Sequence, residues 1–124
     1  RQALFDHGHA EALVAETAVG EQADGGLVGY AIYFENFSTF LCRRGLYLED
    51  IYVRPNYRKR GVGKRFLRQL AGIAIARNCG RMEWAVLDWN QNAIDVYQAI
   101  GGEVLPDWRI VRLGTSEIRR LAEG

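Results

Sequence analysis

The chain has 124 residues, of which 48% are hydrophobic and 25% are charged, and its formal net charge is +1. This length fits one compact domain with a real core. The balanced charge argues against general binding to nucleic acid or to a membrane surface. No apolar run reaches the roughly 18 residues that a membrane helix needs. The two cysteines, Cys42 and Cys79, stand in no metal-ligand spacing, so we expect reduced thiols, no metal and a cytoplasmic protein.

The first half of the chain has the pattern of strands joined by turns. Residues 11–19 and 28–37 predict an antiparallel hairpin that is closed by the glycine-rich turn 20–27. Residues 38–45 predict an irregular connection, and residues 46–54 predict a third strand, which reads LYLEDIYVR.

The second half, after Pro55, has helical spacing interrupted by shorter strand-like runs. We predict a helix from Gly63 to about Gly80, a strand over 81–88, a helix from Asn90 or Asn92 to about Ile100 that stops at Gly101-Gly102, strands at 103–105 and 108–113, and a terminal helix from about Ser116 to Ala122. The order strand, strand, strand, helix, strand, helix, strand indicates an α/β domain with a mixed sheet.

A basic glycine loop, residues 58–65, lies between the third strand and the first helix and reads RKRGVGKR. Its two glycines let the backbone approach a ligand closely, and the helix start offers free N–H groups and a positive dipole end. The loop also carries five cations, which are Arg58, Lys59, Arg60, Lys64 and Arg65. Together these features predict a pyrophosphate site, with a plain basic surface turn as the alternative. The loop lacks the ending of a Walker loop and the third glycine of a dinucleotide fingerprint.

Two adjacent carboxylates, Glu49 and Asp50, stand in the otherwise apolar third strand. Burial of an unpaired carboxylate costs free energy, so two acids in an apolar strand indicate a functional or structural role. Alternation along a strand places them on opposite faces. We therefore expect one of them to face a site and the other to pair with a basic residue.

The motifs around the loop and the second helix resemble those of the GNAT superfamily of N-acetyltransferases. The pattern Arg58-x-x-Gly61-x-Gly63, entered from a strand that ends in Val-x-Pro, is similar to the acyl-CoA loop of that family. Asn90, Tyr97 and Gly101 fit its Asn-x-x-Ala-x-x-x-Tyr-x-x-x-Gly pattern. The segments LYLEDIYV and DWNQNAIDVYQAIGG resemble the diamine branch, which includes the spermidine/spermine and thialysine acetyltransferases.

The resemblance covers about residues 10–122 and implies a GNAT-like α/β fold. Such a fold has a mixed, mostly antiparallel twisted sheet with flanking helices, and its central strands splay apart to bind acyl-CoA. Residues 1–124 would form a single N-acetyltransferase domain that lacks the first strand and two helices of the family. Residues 1–10 read like the tail of an earlier helix, and the first residue is Arg, so we expect the natural chain to begin upstream.

The resemblance also implies a role for individual residues. Backbone groups of Ile51, Tyr52 and Val53 would hold the acetyl and pantetheine arm, and the Val53 N–H would polarise the thioester carbonyl. The pyrophosphate would lie on the loop residues Arg58, Lys59, Arg60, Gly61, Val62, Gly63 and Lys64.

Four side chains outside the loop complete the implied site. Tyr97 would be the general acid for the thiolate, although a core tyrosine is the alternative. Glu49, or else Asp50, would bind the ammonium and take its proton. Asn90 would bind the cofactor arm or simply cap a helix. Trp89 would form an aromatic wall of the amine pocket.

The implied reaction is acetyl transfer from acetyl-CoA to a primary amine of a polyamine, diamine or lysine-like small molecule. Relatives in this branch are commonly homodimers, which makes a homodimer the expected assembly. Three alternatives remain open, namely acetylation of a protein N-terminus or lysine, CoA binding without turnover, and a P-loop nucleotide site.

Overall fold

The structure is a computed structural model that describes residues 9–17 and 26–124. The chain divides into two compact units, Arg1–Ala85 and Val86–Gly124. The helix tail predicted for residues 1–10 lies almost entirely outside the described residues, as does most of the first turn.

The first unit contains a four-stranded sheet in the order β1-β2-β3-β4. The strands are β1 Glu11–Glu16, β2 Leu27–Ser38, β3 Arg43–Val53 and β4 Met82–Glu83. The first three strands pair antiparallel, and β4 runs parallel to β3. The predicted hairpin and the mixed, mostly antiparallel sheet are therefore confirmed. The tight turn after Ser38 takes the place of the longer connection predicted over 38–45.

Helix α1, Val62–Ala76, packs on β2 and β3 and shares the core of this unit with the sheet. Its buried residues Phe66, Leu67, Leu70 and Ala74 recur at helical spacing and form one apolar face. The helix ends before the predicted Gly80 because Asn78 adopts a left-handed conformation with φ of 58°. That conformation closes the last turn and satisfies helix carbonyls that would otherwise lack partners.

An ion-pair cluster ties the end of α1 to the sheet. The Arg77 guanidinium donates to both carboxylate oxygens of Glu11 on β1, at 2.7 and 2.8 Å, and to Glu35 on β2 at 3.0 Å. Hydrogen bonds from Arg77 lower the pKa of Glu11 below its ordinary 4.5. The cluster thus fixes the C-terminal end of α1, at the opposite end of the helix from the glycine loop.

The second unit contains the two remaining helices, α2 Gln91–Ala99 and α3 Thr115–Glu123, close to their predicted positions. Gly101, with φ of 97°, ends α2, and the Gly102 N–H donates to the Tyr97 carbonyl at 2.8 Å. The strands predicted at 103–105 and 108–113 are wrong, since these residues are exposed and belong to no strand. Apolar residues with strand propensity form a strand only where a partner ladder is available, and none pairs with this segment in the described chain.

Candidate active site

A β-bulge interrupts β3 at the carboxylate pair. Ile32 of β2 pairs with Asp50, but the next residue, Tyr33, pairs with Leu48, so Glu49 is the extra residue. A bulge leaves its extra residue unpaired and bends the strand. Simple alternation, on which the opposite-face prediction rested, therefore breaks at Glu49.

The neighbouring strand leaves β3 just before this bulge. The parallel pairing with β4 covers only Leu46 with Met82 and Tyr47 with Glu83. Beyond it, residues 48–53 of β3 pair with no described strand on the side away from β2; we call this side the open edge. The strand predicted over 81–88 is thus limited to two residues. The pairing of β3 with a neighbour on this side thus ends at Tyr47, in the region where the resemblance implies splayed strands.

Residues of β3 alternately turn their backbone N–H and C=O groups towards β2 and towards the open edge. The Arg54 N–H donates to the Val28 carbonyl at 2.8 Å. In an antiparallel pair, bonded and non-bonded residues alternate along each strand. Tyr52 therefore turns its backbone groups towards β2, whereas Ile51 and Val53 turn theirs to the open edge. Of the three predicted arm-binding residues, two thus present backbone groups there.

The glycine loop begins where the open edge ends. Gly61 is the N-cap of α1 and has a left-handed φ of 81°, and no side chain caps the helix. The Arg65 N–H makes the first bond into the helix, to the Gly61 carbonyl at 3.0 Å. The amides of Val62, Gly63 and Lys64 therefore have no partner within the helix. A Cβ on either Gly61 or Gly63 would meet no atom within 4 Å, so both glycines border open space.

The side chain of Arg58 links the loop to β3. Its Nε donates to the Val53 carbonyl at 2.8 Å, and its guanidinium lies 5.7 Å from the centre of the Tyr52 ring. This hydrogen bond from Arg58 is consistent with a Val53 carbonyl that faces away from β2, as the alternation along β3 requires. Arg58 therefore fixes the joint between strand and loop. Lys59 has a left-handed φ of 64°, which helps to turn the chain there.

The two carboxylates of β3 are both exposed but differ in their partners. Asp50 accepts a hydrogen bond from the Tyr30 hydroxyl at 3.3 Å, and its charge raises the pKa of Tyr30. The partner of Asp50 is therefore a tyrosine rather than the basic residue that the sequence predicted. Glu49, at the bulge, makes no described hydrogen bond or ion pair.

The remaining candidates belong to the second unit. Asn90 is the N-cap of α2, and its side-chain oxygen accepts from the Ala93 N–H at 3.3 Å. Its capping role is thus present, and its NH₂ group makes no hydrogen bond to another of the described residues. Tyr97 lies on α2 and is partly buried, and burial raises its pKa above the ordinary 10. Trp89 precedes the cap and is 76% exposed.

No cluster of three or more metal-ligating side chains occurs within residues 9–17 and 26–124. In the same residues, no helix is long and apolar enough to cross a membrane. Both cysteines are free.

The feature that sequence reasoning missed is the bulge. Its only signal in the sequence is a pair of acids inside an apolar strand, and that signal does not say which residue is extra. The partner of Asp50 was also missed, because Tyr30 lies 20 positions away in the chain.

Comparison with known proteins places this geometry in a family. Residues 2–101 match the model of the acetyltransferase (GNAT) family. The chain therefore belongs to the acetyltransferase (GNAT) family, as its motifs predicted.

Two relatives show which branch of the family the chain resembles. It is 42% identical over 87 residues to L-ornithine N5-acetyltransferase of Arabidopsis thaliana, covering 70% of this chain and 38% of that protein. It is 40% identical over 115 residues to thialysine N-epsilon-acetyltransferase of Bos taurus, covering 89% of this chain and 67% of that protein. The chain thus spans only part of each relative's length.

Solved structures share the fold. An integron cassette protein from the mobile metagenome of V. cholerae superposes with a TM-score of 0.80 at 24% identity, over 96% of this chain and 70% of that one. An aminoglycoside N-acetyltransferase solved in complex with CoA gives a TM-score of 0.67 at 24% identity, over 86% and 77% of the two chains. The predicted GNAT-like α/β fold is confirmed.

Proposed function

We propose that this chain carries the acetyl-CoA-binding core of an N-acetyltransferase that transfers an acetyl group to a primary amine of a small molecule. The observation that carries the proposal is the open edge of β3, which leads directly into the glycine loop. An extended pantetheine arm needs a row of backbone partners, and Ile51 and Val53 offer one. A pyrophosphate needs free N–H groups and cations, and residues 58–64 offer both.

In the proposed reaction the neutral amine attacks the thioester carbonyl of acetyl-CoA. A C–N bond forms, the C–S bond breaks, and CoA leaves as a thiolate. The oxyanion that develops accepts a hydrogen bond from the Val53 N–H, a group that is fixed in place by the strand before reaction begins. Only the chain's own backbone is needed for this step.

Proton transfers complete the balance. An alkylamine is protonated near neutral pH, with an ordinary pKa of about 10.4, and must lose a proton before attack. We assign this proton to Glu49, directly or through water, because Glu49 is exposed at the bulge whereas Asp50 accepts a bond from Tyr30. Tyr97 would protonate the departing thiolate, and the second proton that the amine nitrogen loses as the amide forms would return to the Tyr97 phenolate, directly or through water. Its raised pKa keeps the phenol protonated at neutral pH.

The names of the two relatives favour an amine at the end of an amino-acid side chain. One acts on the N5 position of ornithine and the other on the epsilon amine of thialysine. A lysine-like amino acid is therefore our first substrate class, and a diamine or polyamine is the second. In this proposal the exposed Trp89 ring lines the amine pocket, since an aromatic face attracts an ammonium.

The test is release of thiol from acetyl-CoA by the full-length natural chain, measured against lysine, thialysine, putrescine, spermidine and a peptide with a free N-terminus. Release that depends on one small amine supports the proposal. Release with the peptide alone would replace it with a protein acetyltransferase. Tight CoA binding without any release would indicate a non-catalytic CoA-binding module.

The roles of the acids are tested with a matched pair. Glu49→Gln should lower kcat/KM and shift its dependence on pH, whereas Asp50→Asn should leave the pH profile in place. The two residues are adjacent and both exposed, so general effects of charge loss are shared. The assignment fails if the two variants behave alike or if only Asp50→Asn is impaired.

We further propose that the protein is a cytoplasmic homodimer that uses no metal. Two exposed aromatic side chains around the β2–β3 turn, Phe37 at 63% and Phe40 at 91% exposure, support a partner surface there. Light scattering of the wild type and of a double variant, Phe37→Ser with Phe40→Ser, tests the homodimer, since the double variant should be monomeric. A wild type that is already monomeric would contradict it.

A further inference from the structure

Gly29 is a buried residue of β2 that lies directly opposite Val53 of β3. A Cβ built on Gly29 would overlap with the carbonyl oxygen of Tyr52. It would also lie 3.1 Å from the Val53 Cα and 3.3 Å from the Tyr52 carbonyl carbon. The space between the two strands therefore has no room for even a methyl group at position 29.

The three atoms that such a methyl group would meet all belong to one peptide group, the one that joins Tyr52 to Val53. A peptide group is nearly planar and rigid, so its C=O and its N–H move together. The Tyr52 carbonyl points towards β2, and the Val53 N–H at the other side of the same plane points to the open edge. Gly29 thus packs against the back of the group whose N–H is the proposed donor to the oxyanion.

The neighbouring strands decide which strand would move to make room. On its other side β2 pairs with β1, where Gly29 lies opposite Ala15. Beyond the open edge, β3 has no neighbour at this position among the described strands. A side chain at position 29 would therefore push the Tyr52–Val53 peptide group outwards, by about 1 Å if an ordinary contact distance is to be restored.

We propose that Gly29 is a positioning residue for acetyl transfer, because its lack of a side chain sets how far the Val53 N–H reaches into the open edge. This inference rests on the proposed function. Donors to an oxyanion act at about 2.7–3.1 Å, so their placement is demanding. A misplacement of about 1 Å can cost roughly a hundredfold in rate. Binding of CoA to the glycine loop does not use this N–H and should depend on Gly29 much less.

Gly45 offers a matched control within the same pair of strands. It is also buried, and a Cβ on it would lie 2.6 Å from the Asn36 Oδ1 and 3.3 Å from the Arg81 carbonyl oxygen. Gly45→Ala is therefore crowded as well. Gly45 lies near the opposite end of β3 from Val53, so its crowding does not reach the proposed donor.

The experiment compares the full-length natural chain with its Gly29→Ala and Gly45→Ala variants. Each variant is also made in a Gly72→Ala background, which stabilises α1 because alanine is favoured over glycine inside a helix. Urea unfolding measures stability, thiol release from acetyl-CoA gives kcat and KM, and titration calorimetry gives the Kd for CoA.

A spectroscopic measurement reports on the donor directly. The probe is a ketone analogue of acetyl-CoA in which a CH₂ group replaces the thioester sulfur, so that no acetyl group can be transferred. Its carbonyl carbon is labelled with ¹³C. A hydrogen bond from the Val53 N–H polarises this carbonyl and moves its ¹³C resonance downfield on binding.

Both glycine variants should lose stability, but Gly29→Ala alone should lower kcat, by roughly a hundredfold, with little change in the Kd for CoA. The downfield movement of the bound ketone should be smaller in Gly29→Ala than in the wild type or in Gly45→Ala. Loss of stability by itself would not produce this difference.

A folded Gly29→Ala chain with the kcat and the ketone resonance of Gly45→Ala would overturn the inference and leave the proposed function standing. Equal losses of kcat and of CoA affinity in Gly29→Ala would also overturn it, since they would indicate general damage to the site. A Gly29→Ala chain that is unfolded even in the Gly72→Ala background would assign the glycine to folding instead. A wild type that neither binds CoA nor releases thiol would remove the proposed function and the inference together.

Discussion

Adding one methyl group to Gly63 should separate ligand binding from folding. Gly63 is the second residue of α1, and a Cβ built there meets no atom of the chain within 4 Å. Gly63→Ala therefore causes no clash within the protein. The methyl group projects into open space at the helix start, where the pyrophosphate is proposed to lie. Gly72, in the middle of the same helix, is exposed and also has nothing within 4 Å, which makes Gly72→Ala the matched control.

Gly72→Ala should change mainly the stability of the protein, whereas Gly63→Ala should change mainly its affinity for CoA. Alanine is favoured over glycine inside a helix by about 0.5–1 kcal/mol, so Gly72→Ala should raise the free energy of unfolding by about that amount. Gly63→Ala should change stability by less, since it lies in the first turn. Its effect on CoA should be large. Displacing the pyrophosphate from one backbone amide costs about 1.5–3 kcal/mol, which is roughly a tenfold to hundredfold loss of affinity.

Urea unfolding gives the stabilities, and titration calorimetry gives the Kd for CoA. Gly61→Ala is a further comparison, since its φ of 81° predicts strain of about 1–2 kcal/mol in addition to any loss of binding. The reasoning is refuted if Gly63→Ala binds CoA as tightly as Gly72→Ala. In that case the open space beside Gly63 is not where the phosphates lie.

Three further variants test the other roles. Tyr97→Phe should lower kcat by about 10²–10⁴-fold with little change in the Kd for CoA. Because burial raises the pKa of Tyr97 above 10, wild-type turnover should fall only at a pH above that value. A variant whose turnover falls at the same alkaline pH as that of the wild type would argue against the acid role. Asn90→Asp should keep the α2 cap and the stability, whereas Asn90→Ala should cost about 1 kcal/mol; if both weaken CoA binding, the amide NH₂ contacts the cofactor, and if neither does, Asn90 is only a cap. Glu11→Gln should cost about 1–2 kcal/mol at neutral pH through the loss of its two bonds to Arg77. Since Arg77 lowers the pKa of Glu11 below 4.5, this stabilisation is present above that pH and is lost as the pH falls through the lowered pKa. A difference in unfolding free energy between wild type and variant that does not shrink as the pH is lowered below 4.5 would contradict this.

Local sequence pattern was sufficient for the elements whose residues interact mainly with near neighbours. The apolar spacing of α1 and the capping pair Asn90 and Gly101 predicted both helices to within a few residues. Helix formation depends on residues three and four positions apart and on the groups at each end, all of which are visible in the sequence. The glycine loop was predicted for the same reason, because its backbone freedom, its cations and the following helix start are contiguous.

The family motifs added what spacing alone does not give. They predicted an acyl-CoA loop, the fold and the branch of relatives, and the fold and family are confirmed. Spacing by itself left Tyr97 as either an acid or a core tyrosine, and its partial burial and raised pKa are compatible with both readings.

The geometry of β3 was decided only by the tertiary structure. Whether Glu49 is an extra residue depends on how Ile32 and Tyr33 of β2 pair with β3, and that pairing joins residues far apart in the chain. The same long-range pairing makes Tyr30 the partner of Asp50 and turns the amides of Ile51 and Val53 to the open edge. Residues 103–113 have strand propensity but remain unpaired for a related reason. A strand is stabilised by its neighbours rather than by its own residues, so its pairing, its bulges and its existence are fixed when the sheet assembles.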